Sequence, residues 1–293
     1  MPTPTHLSPR QLADALGVSE SSVKRWSDKG EIETERTAGG HRRMPWPAVL
    51  RFLRASEMSL EKPEVLGLMD REAAQQPKAA VIQALVEGDG EALRSAVFHL
   101  YAAGTPAVEI CDQYLAAAFT ELGDRWQHGN LEIYEERRAV VLCRGVLHEL
   151  NATLPEVGPG APRAAGGTLE GDWYSLPTDM VQVALRERGW DALSYGSNLP
   201  METLRAAIRE EELRLFWLSI SWVESEERLV EAVSELHEAA NDHGTALVLG
   251  GRELDSGLRR RLSCSAFCDD LAQLTGLADA LVPRAGDGQK SSR

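Results

Sequence analysis

The stretch "APRAAGGTLEGDWYSLPTDMVQVALRERGW", Ala161 to Trp190, decides the fold of the second half of the chain. A run of small apolar residues leads into a turn and then into a segment with helical period, so it predicts a strand, a turn and a helix. The turn, Glu170 to Pro177, carries an acid, a Trp, a Tyr and a Pro. Because open α/β sheets bind ligands at the carboxyl ends of their strands, this turn is the first candidate site.

The same alternation of apolar and helical runs continues to the end of the chain. It predicts an α/β, Rossmann-like doubly wound parallel sheet over residues 162–283, followed by a disordered tail over residues 284–293. The predicted strands are Ala164–Leu169, Ala192–Gly196, Leu213–Ser219, Ala246–Leu249 and Ser265–Cys268. The predicted helices are Leu176–Arg188, Met201–Glu211, Glu224–Asn241, Leu254–Arg261 and Leu271–Leu281.

The middle of the chain has helical period almost throughout. Residues 81–155 are interrupted only at residues 88–90, 104–106 and 128–130, which predicts a four-helix bundle. Residues 56–80 are more polar and contain Pro63 and Pro77, and they are predicted to form a linker.

The first 55 residues predict two short helices and a hairpin. Ser8 is placed to cap a helix that Gly17 ends, and Ser19 is placed to cap a second helix that ends at Gly30. Two helices joined by a tight turn are typical of a helix-turn-helix. The segment "EIETERTAGGHRRMPW", residues 31–46, then predicts a strand, a Gly-Gly turn and a basic wing, so this α+β head is predicted to be a winged helix-turn-helix.

The charge is unevenly distributed between this head and the rest of the chain. The formal net charge is −14, but residues 1–55 carry nine Lys and Arg and six Asp and Glu, which makes them +3. A basic head on an acidic body favours a head that contacts a polyanion.

The head resembles a known class of DNA-binding module. Residues 7–45, "LSPRQLADALGVSESSVKRWSDKGEIETERTAGGHRRMP", resemble the winged helix-turn-helix of MerR-class transcriptional regulators. The resemblance implies double-stranded DNA as the partner. It also implies a homo-oligomer, dimer or tetramer, because one head buries too little surface on DNA. The candidate DNA-binding residues are Ser21, Ser22, Lys24, Arg25, His41, Arg42 and Arg43.

The order of bundle and sheet resembles that of cobalamin-binding modules. Their Ser-x-Ser and Gly-Gly elements are matched by Ser219-Ile-Ser221 and by Gly250-Gly251. Their Asp-x-His-x-x-Gly motif falls on residues 172–177, "DWYSLP". The whole chain therefore resembles the CarH/LitR-type photoreceptor regulators, in which light acts on bound cobalamin and releases DNA.

This sequence departs from that pattern at the positions nearest cobalt. Tyr174 stands where the family has the His that ligates cobalt, and a phenol that titrates near pH 10 is a poor ligand for Co(III). Pro177 replaces the Gly that lets the backbone pass close to the nucleotide tail. In the bundle Trp126 is retained, but Arg137, preceded by Glu136, stands where a second His is expected.

Three interpretations follow from these departures. A bilin or haem is favoured over cobalamin, because aromatic rings could stack on a flat tetrapyrrole and Arg137 could pair with a propionate. The alternatives are cobalamin held without a histidine ligand, and a ligand-free regulator that acts through protein contacts, in which the aromatics simply pack and Arg137 pairs with a neighbouring Glu. The candidate ligand-binding residues are Trp126, Glu136, Arg137, Asp172, Trp173, Tyr174, Ser219, Ser221, Gly250 and Gly251.

Other function classes are disfavoured. The sequence shows no nucleophile–base pair and no phosphate loop, so an enzyme is not expected. A corrinoid methyl-carrier subunit would need no DNA-binding head and usually uses the missing His. The four cysteines form no Cys-x-x-Cys pair, and no apolar run is long enough to span a membrane, which favours a cytoplasmic protein with free thiols and no metal site. The prediction is a DNA-binding transcriptional regulator whose bundle and sheet form a divergent, light-responsive cobalamin-type sensor.

Overall fold

The computed structural model describes residues 5–56 and 58–282, so the predicted tail at residues 284–293 lies outside the described residues. Contacts divide the chain into two compact units, Met1–Leu154 and Pro155–Arg293. The finer division into head, linker, bundle, sheet domain and tail stays a prediction. Within the described ranges, no helix combines the length and the apolar character needed to cross a membrane.

The first unit opens with a small antiparallel sheet and three helices. Its elements are β1 (His6–Leu7), α1 (Pro9–Leu16), α2 (Glu20–Asp28), β2 (Glu35–Arg36), β3 (Arg42–Pro45) and α3 (Trp46–Ser56), with β3 between β1 and β2. The predicted caps are confirmed. The Ser8 hydroxyl accepts a hydrogen bond from the Gln11 N–H at 3.3 Å, Gly17 ends α1 at φ 67°, and the Ser19 hydroxyl accepts from the Ser22 N–H at 3.2 Å.

The segment after α3 packs against α1. The N–H groups of Glu61 and Lys62 donate to the Ala15 carbonyl oxygen at 2.8 and 3.0 Å, and Leu66 is fully buried. Arg54 on α3 donates to the Tyr101 carbonyl oxygen at 2.7 Å, which ties α3 to the bundle. A polar stretch with prolines predicts a linker, but these backbone hydrogen bonds hold it in place.

The rest of the first unit is a helical bundle. Its helices are α4 (Pro77–Glu87), α5 (Gly90–Ala102), α6 (Ala107–Glu109), a π-helix (Ile110–Ala116), α7 (Ala117–Gln127) and α8 (Ile133–Thr153). Gly88 ends α4 at φ 73°, and the Asp89 carboxylate then caps α5 by accepting from the Ala92 N–H at 2.9 Å. The bundle predicted from the helical period is confirmed.

The second unit alternates strands and helices, as predicted. Its elements are β4 (Arg163–Gly167), α9 (Leu176–Glu187), β5 (Asp191–Ser194), α10 (Met201–Glu210), β6 (Leu215–Ser219), α11 (Glu226–Asp242), β7 (Ala246–Gly250), α12 (Ser256–Arg259), β8 (Ala266–Phe267) and α13 (Leu271–Leu281). The strand order is β5-β4-β6-β7-β8, and all pairs are parallel. The chain leaves β4 on one side and returns on the other, so the topological switch point lies between β4 and β6.

Some element ends differ from the predicted ones, and local hydrogen bonds explain them. β4 stops before Leu169, because Leu169 makes only an isolated bridge with Leu199. α11 begins after Ser225, whose hydroxyl accepts from the Arg228 N–H at 3.4 Å and so caps the helix. α12 begins after Asp255 for the same reason, its carboxylate accepting from the Leu258 N–H at 2.8 Å.

Alternate residues of β6 fill two hydrophobic clusters, one on each face of the sheet. Phe216 and Leu218 belong to the cluster with α10 and α11, whereas Trp217 belongs to the cluster with α9 and α13. The buried Trp217 ring lies across Gly166 of β4, and its Nε1–H donates to the Thr178 hydroxyl at 2.7 Å. A Cβ at Gly166 would stand 2.1 Å from the Trp217 carbonyl oxygen, so this position excludes any side chain.

We therefore expect Gly166→Ala to lower the free energy of unfolding of the second unit by about 3 kcal/mol, because the clash is with backbone and cannot be relieved by a rotamer change. Urea denaturation followed by circular dichroism measures the change. The matched control is Gly123→Ala in α7, where an added Cβ meets no atom within 4 Å and helix propensity predicts a gain of about 0.5–1 kcal/mol. Equal unfolding midpoints for the two variants would contradict the packing described for Trp217.

Candidate ligand-binding site

The loop that follows β4 is organised by one buried carboxylate. Asp172 is 3% exposed, and its Oδ1 accepts from the Tyr174 N–H at 3.0 Å. Its Oδ2 accepts from the N–H groups of Ser221 and Trp222, at 2.6 and 3.2 Å, in the loop that follows β6. The resemblance implies that this Asp orients a His, but here it binds backbone N–H groups and joins the two loops at the switch point.

A second set of hydrogen bonds ties in the loop after β5. The Thr168 hydroxyl donates to the Asp172 carbonyl oxygen at 2.6 Å and accepts from the Asn198 N–H at 2.9 Å. The Asn198 side-chain oxygen accepts from the Gly171 N–H at 2.8 Å. Asn198 has φ 59°, a left-handed conformation that Asn adopts more readily than most residues. The loops after β4, β5 and β6 are therefore linked into one edge.

Tyr174 lies under a cation that the sequence prediction missed. The guanidinium carbon of Arg252 is 4.7 Å from the centroid of the Tyr174 ring, and its Nε–H donates to the Ser221 carbonyl oxygen at 3.1 Å. Such a cation–π contact stabilises the ring position. Gly251 precedes Arg252 in the chain. Its φ of 128° and its close approach to the Ile220 backbone both require glycine. The sequence does place Arg252 directly after the predicted Gly-Gly pair, and this position could have indicated that Arg252 lies at the site.

The other predicted residues of this unit differ in exposure. Trp173 is 68% exposed and projects from the edge, whereas Ser219 and Ser221 are buried in the ends of β6 and its loop. Pro177 occupies the first turn of α9, where a helix needs no N–H donor, so the exchange of Gly for Pro is locally favourable. The structure thus brings Asp172, Tyr174 and Ser221 into contact.

A crevice opens beside this edge, at the switch point. Its volume is about 360 Å³, and it is lined by the loops after β4 and β6 and by the starts of α10 and α11. We call it the switch-point crevice; it is defined by Leu169, Glu170, Asp172, Met201, Trp222 and Arg228, among other residues.

The predicted residues of the bundle lie on the first unit. Trp126 is 49% exposed, and α8 carries three further large exposed apolar side chains. We call the set of four the bundle face: Trp126, Ile133, Tyr134 and Val141. Arg137 Nε lies 3.5 Å from a carboxylate oxygen of Glu136, so the salt-bridge interpretation of this arginine has support. His128 is exposed, with its Nδ1 2.6 Å from the Asp124 carbonyl oxygen.

The predicted DNA-binding residues are partly gathered in one groove. A groove of about 470 Å³ is lined by Lys24, His41, Arg42 and Arg43 together with residues of α1 and β2, whereas Ser21, Ser22 and Arg25 do not line it. Its charge is partly neutralised from within. The Arg42 guanidinium donates to the Lys24 carbonyl oxygen at 3.1 Å and to the Asp28 carboxylate, and Lys24 pairs with Glu20 at 2.8 Å.

The cysteines give no indication of a metal site. Burial, together with nearby Asp270 and Asp269, raises the pKa of the Cys268 thiol to about 11, and burial also raises the pKa of Cys264. Thiols of this kind stay protonated near neutral pH, whereas a metal binds the thiolate. Residues 5–56 and 58–282 contain no group of three or more His, Cys, Asp or Glu side chains that could hold a metal ion.

Comparison with known proteins finds a match over the bundle. Residues 78–151 match the B12 binding domain. The dimethylamine corrinoid protein of Methanosarcina barkeri is 19% identical over 176 residues, which is 59% of this chain and 83% of that protein. The trimethylamine corrinoid protein 1 of Methanosarcina acetivorans is 21% identical over 203 residues, which is 68% of this chain and 94% of that protein.

The solved structures agree at the level of the fold. The Methanosarcina barkeri monomethylamine corrinoid protein superposes with a TM-score of 0.61 at 16% identity, covering 72% of this chain and all of that one. The helical bundle followed by a parallel, Rossmann-like sheet thus matches the fold of that corrinoid protein. The comparisons support a cobalamin-binding-like domain in this chain, as the sequence resemblance implied.

The predicted function was wrong. The relatives are methylamine corrinoid proteins and not DNA-binding regulators, so the prediction of a DNA-binding, light-responsive transcriptional regulator is not supported. The cause of the error is physical. Helix caps, a Gly-Gly turn and exposed arginines fix the local backbone of the head, but they do not fix what its surface binds.

The predicted cofactor and partners were also wrong. The match to the B12 binding domain and the corrinoid relatives point to a corrinoid, and not to a bilin or haem. The relatives give no support for double-stranded DNA as a partner. The argument for a bilin or haem relied on Arg137 pairing with a propionate, and that guanidinium already lies beside Glu136.

We expect Asp172→Asn to loosen the switch-point edge, because an amide has one accepting oxygen where the carboxylate serves three N–H groups. Amide hydrogen exchange should accelerate roughly tenfold in peptides that contain Ser221 and Trp222. Asp242→Asn, at the exposed end of α11, is the matched control. Unchanged exchange at residues 219–225 in the Asp172 variant would show that the carboxylate does not hold the two loops together.

Proposed function

We propose that this chain is a corrinoid-binding protein that supplies no imidazole to cobalt. The observation that carries the proposal is Tyr174. It occupies the position at which the resemblance implies a cobalt-ligating His, and its ring lies beneath the Arg252 guanidinium. A phenol covered by a cation is a poor donor to a metal ion, since the guanidinium and the metal carry charge of the same sign.

The histidines of the second unit cannot replace it. They are His237 in α11 and His243 just after it. α11 starts beside the carboxyl ends of the strands and ends beside the start of β7, so both imidazoles lie at the opposite edge of the sheet from Tyr174. The donor set of this unit thus does not fit a cobalt ion ligated by the chain.

The surfaces available to a flat macrocycle do fit. The bundle face lies within the residues that match the B12 binding domain, and its four large apolar side chains are exposed and available to a ligand. Trp173 provides a further exposed ring at the sheet edge of the second unit. A bound corrinoid would supply a cobalt ion that can exchange a ligand. The chain's own residues supply apolar surface and hydrogen bonds to the ring.

We propose that the residues predicted from the sequence contact the ligand and that none of them ligates cobalt. On the first unit these are Trp126, Glu136 and Arg137. On the second unit Trp173 and Tyr174 contribute aromatic surface, and the remaining predicted residues shape the edge: Asp172, Ser219, Ser221, Gly250 and Gly251. That the chain is not itself an enzyme stays a prediction.

For the start of the chain we propose a winged helix-turn-helix fold like that of MerR-class proteins. The supporting observations are α1 and α2, joined through Gly17 and Ser19, and the β2–β3 hairpin that follows. The proposal concerns the fold alone and does not include DNA. Short proton–proton distances between Glu35 and Arg43 in solution would test it, because the register pairs these residues.

The binding proposal is tested on the full chain labelled with ¹⁵N. We expect added cobalamin to stay with the protein through gel filtration. After reduction to Co(II), electron paramagnetic resonance should show either the three-line splitting of a ¹⁴N base from the cofactor or no nitrogen splitting. A two-line splitting would come from a ¹⁵N imidazole of the chain and would overturn the claim that the chain supplies no imidazole to cobalt. Complete loss of corrin absorbance on gel filtration would overturn the claim that the chain binds a corrinoid.

The bundle face is tested by substitution. We expect Trp126→Ala to weaken cobalamin binding roughly tenfold, because the indole ring stacks on the macrocycle. The control is Leu193→Ala, which removes an exposed apolar side chain from β5. Equal dissociation constants for the two variants would exclude Trp126 from the binding surface.

A further inference from the structure

We propose that the switch-point crevice binds a small organic cation, an ammonium group that carries alkyl or aryl substituents. The inference goes beyond corrinoid binding, and its test uses the chain without a corrinoid, because Asp172 and Ser219 line the crevice and also belong to the edge proposed for the corrinoid. Its position agrees with the general rule that open α/β sheets bind ligands at the topological switch point.

The shape and walls of the crevice suit a small molecule. Its volume of about 360 Å³ lies at the lower end of the usual range for small-molecule sites. Its apolar lining includes Leu169, Ile220 and Leu229, which we call the floor, together with Met201. The Trp222 indole is the aromatic wall of the crevice. This side chain is 43% exposed, and a Cβ added at Gly171 would lie 3.2 Å from its ring.

The charges that line the crevice favour a cation. Within the described chain, Glu170 is exposed and its carboxylate makes no hydrogen bond or ion pair. Asp172 is buried, and its hydrogen-bond donors are neutral N–H groups. Arg252 reaches the same edge, where its Nε–H donates to the Ser221 carbonyl oxygen, but it does not line the crevice. A cation bound in the crevice would be attracted by the carboxylates that line it.

The positive side chain of the crevice does not reverse this preference. Arg228 is 82% exposed and lies 4.0 Å from the Glu224 carboxylate, so the two charges largely offset each other. Glu170 and Asp172 remain in excess. A cation above an indole ring also gains cation–π energy, of about 2 kcal/mol or more when water is excluded.

The apolar floor distinguishes an organic cation from a metal ion. Ca²⁺ and Mg²⁺ need six or more oxygen ligands, part of which can be water, whereas half of this lining is aliphatic or aromatic. A substituted ammonium places its positive group near the carboxylates and its carbon atoms on Leu169, Ile220 and Leu229. The crevice therefore matches this class in charge and in polarity.

The test measures binding of benzyltrimethylammonium to the full chain by calorimetry, without a corrinoid, and uses benzoate as the anionic counterpart. We expect the cation to bind and benzoate not to bind. Glu170→Gln should weaken the cation about fivefold, and Trp222→Leu should weaken it about tenfold or more. Arg228→Gln should strengthen it. The matched control is Glu210→Gln, an exposed acid at the end of α10 outside the crevice.

Three results would overturn the proposal. One is absence of cation binding to the unmodified chain. Another is preferential binding of benzoate that is lost in Arg228→Gln, because it would show an anion site. The third is equal cation affinity in Glu170→Gln, Trp222→Leu and Glu210→Gln. Trp222→Tyr, which keeps an aromatic ring at this position, should restore most of the cation affinity that Trp222→Leu loses. Circular dichroism shows whether either Trp222 variant has misfolded. If both have, the cation affinity of Glu170→Gln compared with that of Glu210→Gln decides the proposal.

Discussion

The carboxylate of Asp172 is the interaction on which the ligand edge of the second unit depends. It accepts hydrogen bonds from three backbone N–H groups that belong to two different loops. Since β4 and β6 are neighbours in the sheet, these loops must pass close together at the switch point, and their N–H groups need acceptors. One buried side chain meets this need, and it sets the direction in which Trp173, Tyr174 and Trp222 leave the sheet.

The departure from the cobalamin motif has a coherent structural explanation. Tyr174 stands where the resemblance implies a His, and Arg252 covers its ring while donating to the Ser221 carbonyl oxygen. Pro177 suits the first turn of α9, where a glycine would add only flexibility. In our proposal this edge contributes to holding a corrin ring and supplies no ligand to its cobalt.

Local signals explain how much of this could be predicted from the sequence. Ser8, Gly17 and Ser19 act on neighbouring residues, so their caps were predictable, and the short apolar runs of the strands predicted the five-stranded sheet. Contacts between distant residues were not predictable: Arg252 above Tyr174 spans 78 positions, and the polar segment after α3 is held by Ala15. The candidate residues stay a prediction, and the contacts of Asp172 and Arg137 depend on partners that only the fold reveals.

The π-helix at Ile110–Ala116 lies in the same helical run as Trp126 of the bundle face. A π-helical turn accommodates an additional residue, and each residue of a helix advances by about 100° around its axis. Closing this turn to regular α-helix would therefore rotate α7 relative to α6 and carry the indole of Trp126 around the helix axis. The orientation of that ring thus depends on a segment ten or more residues upstream that need not touch a ligand, and an insertion or deletion there would turn Trp126 relative to the α8 side chains of the bundle face.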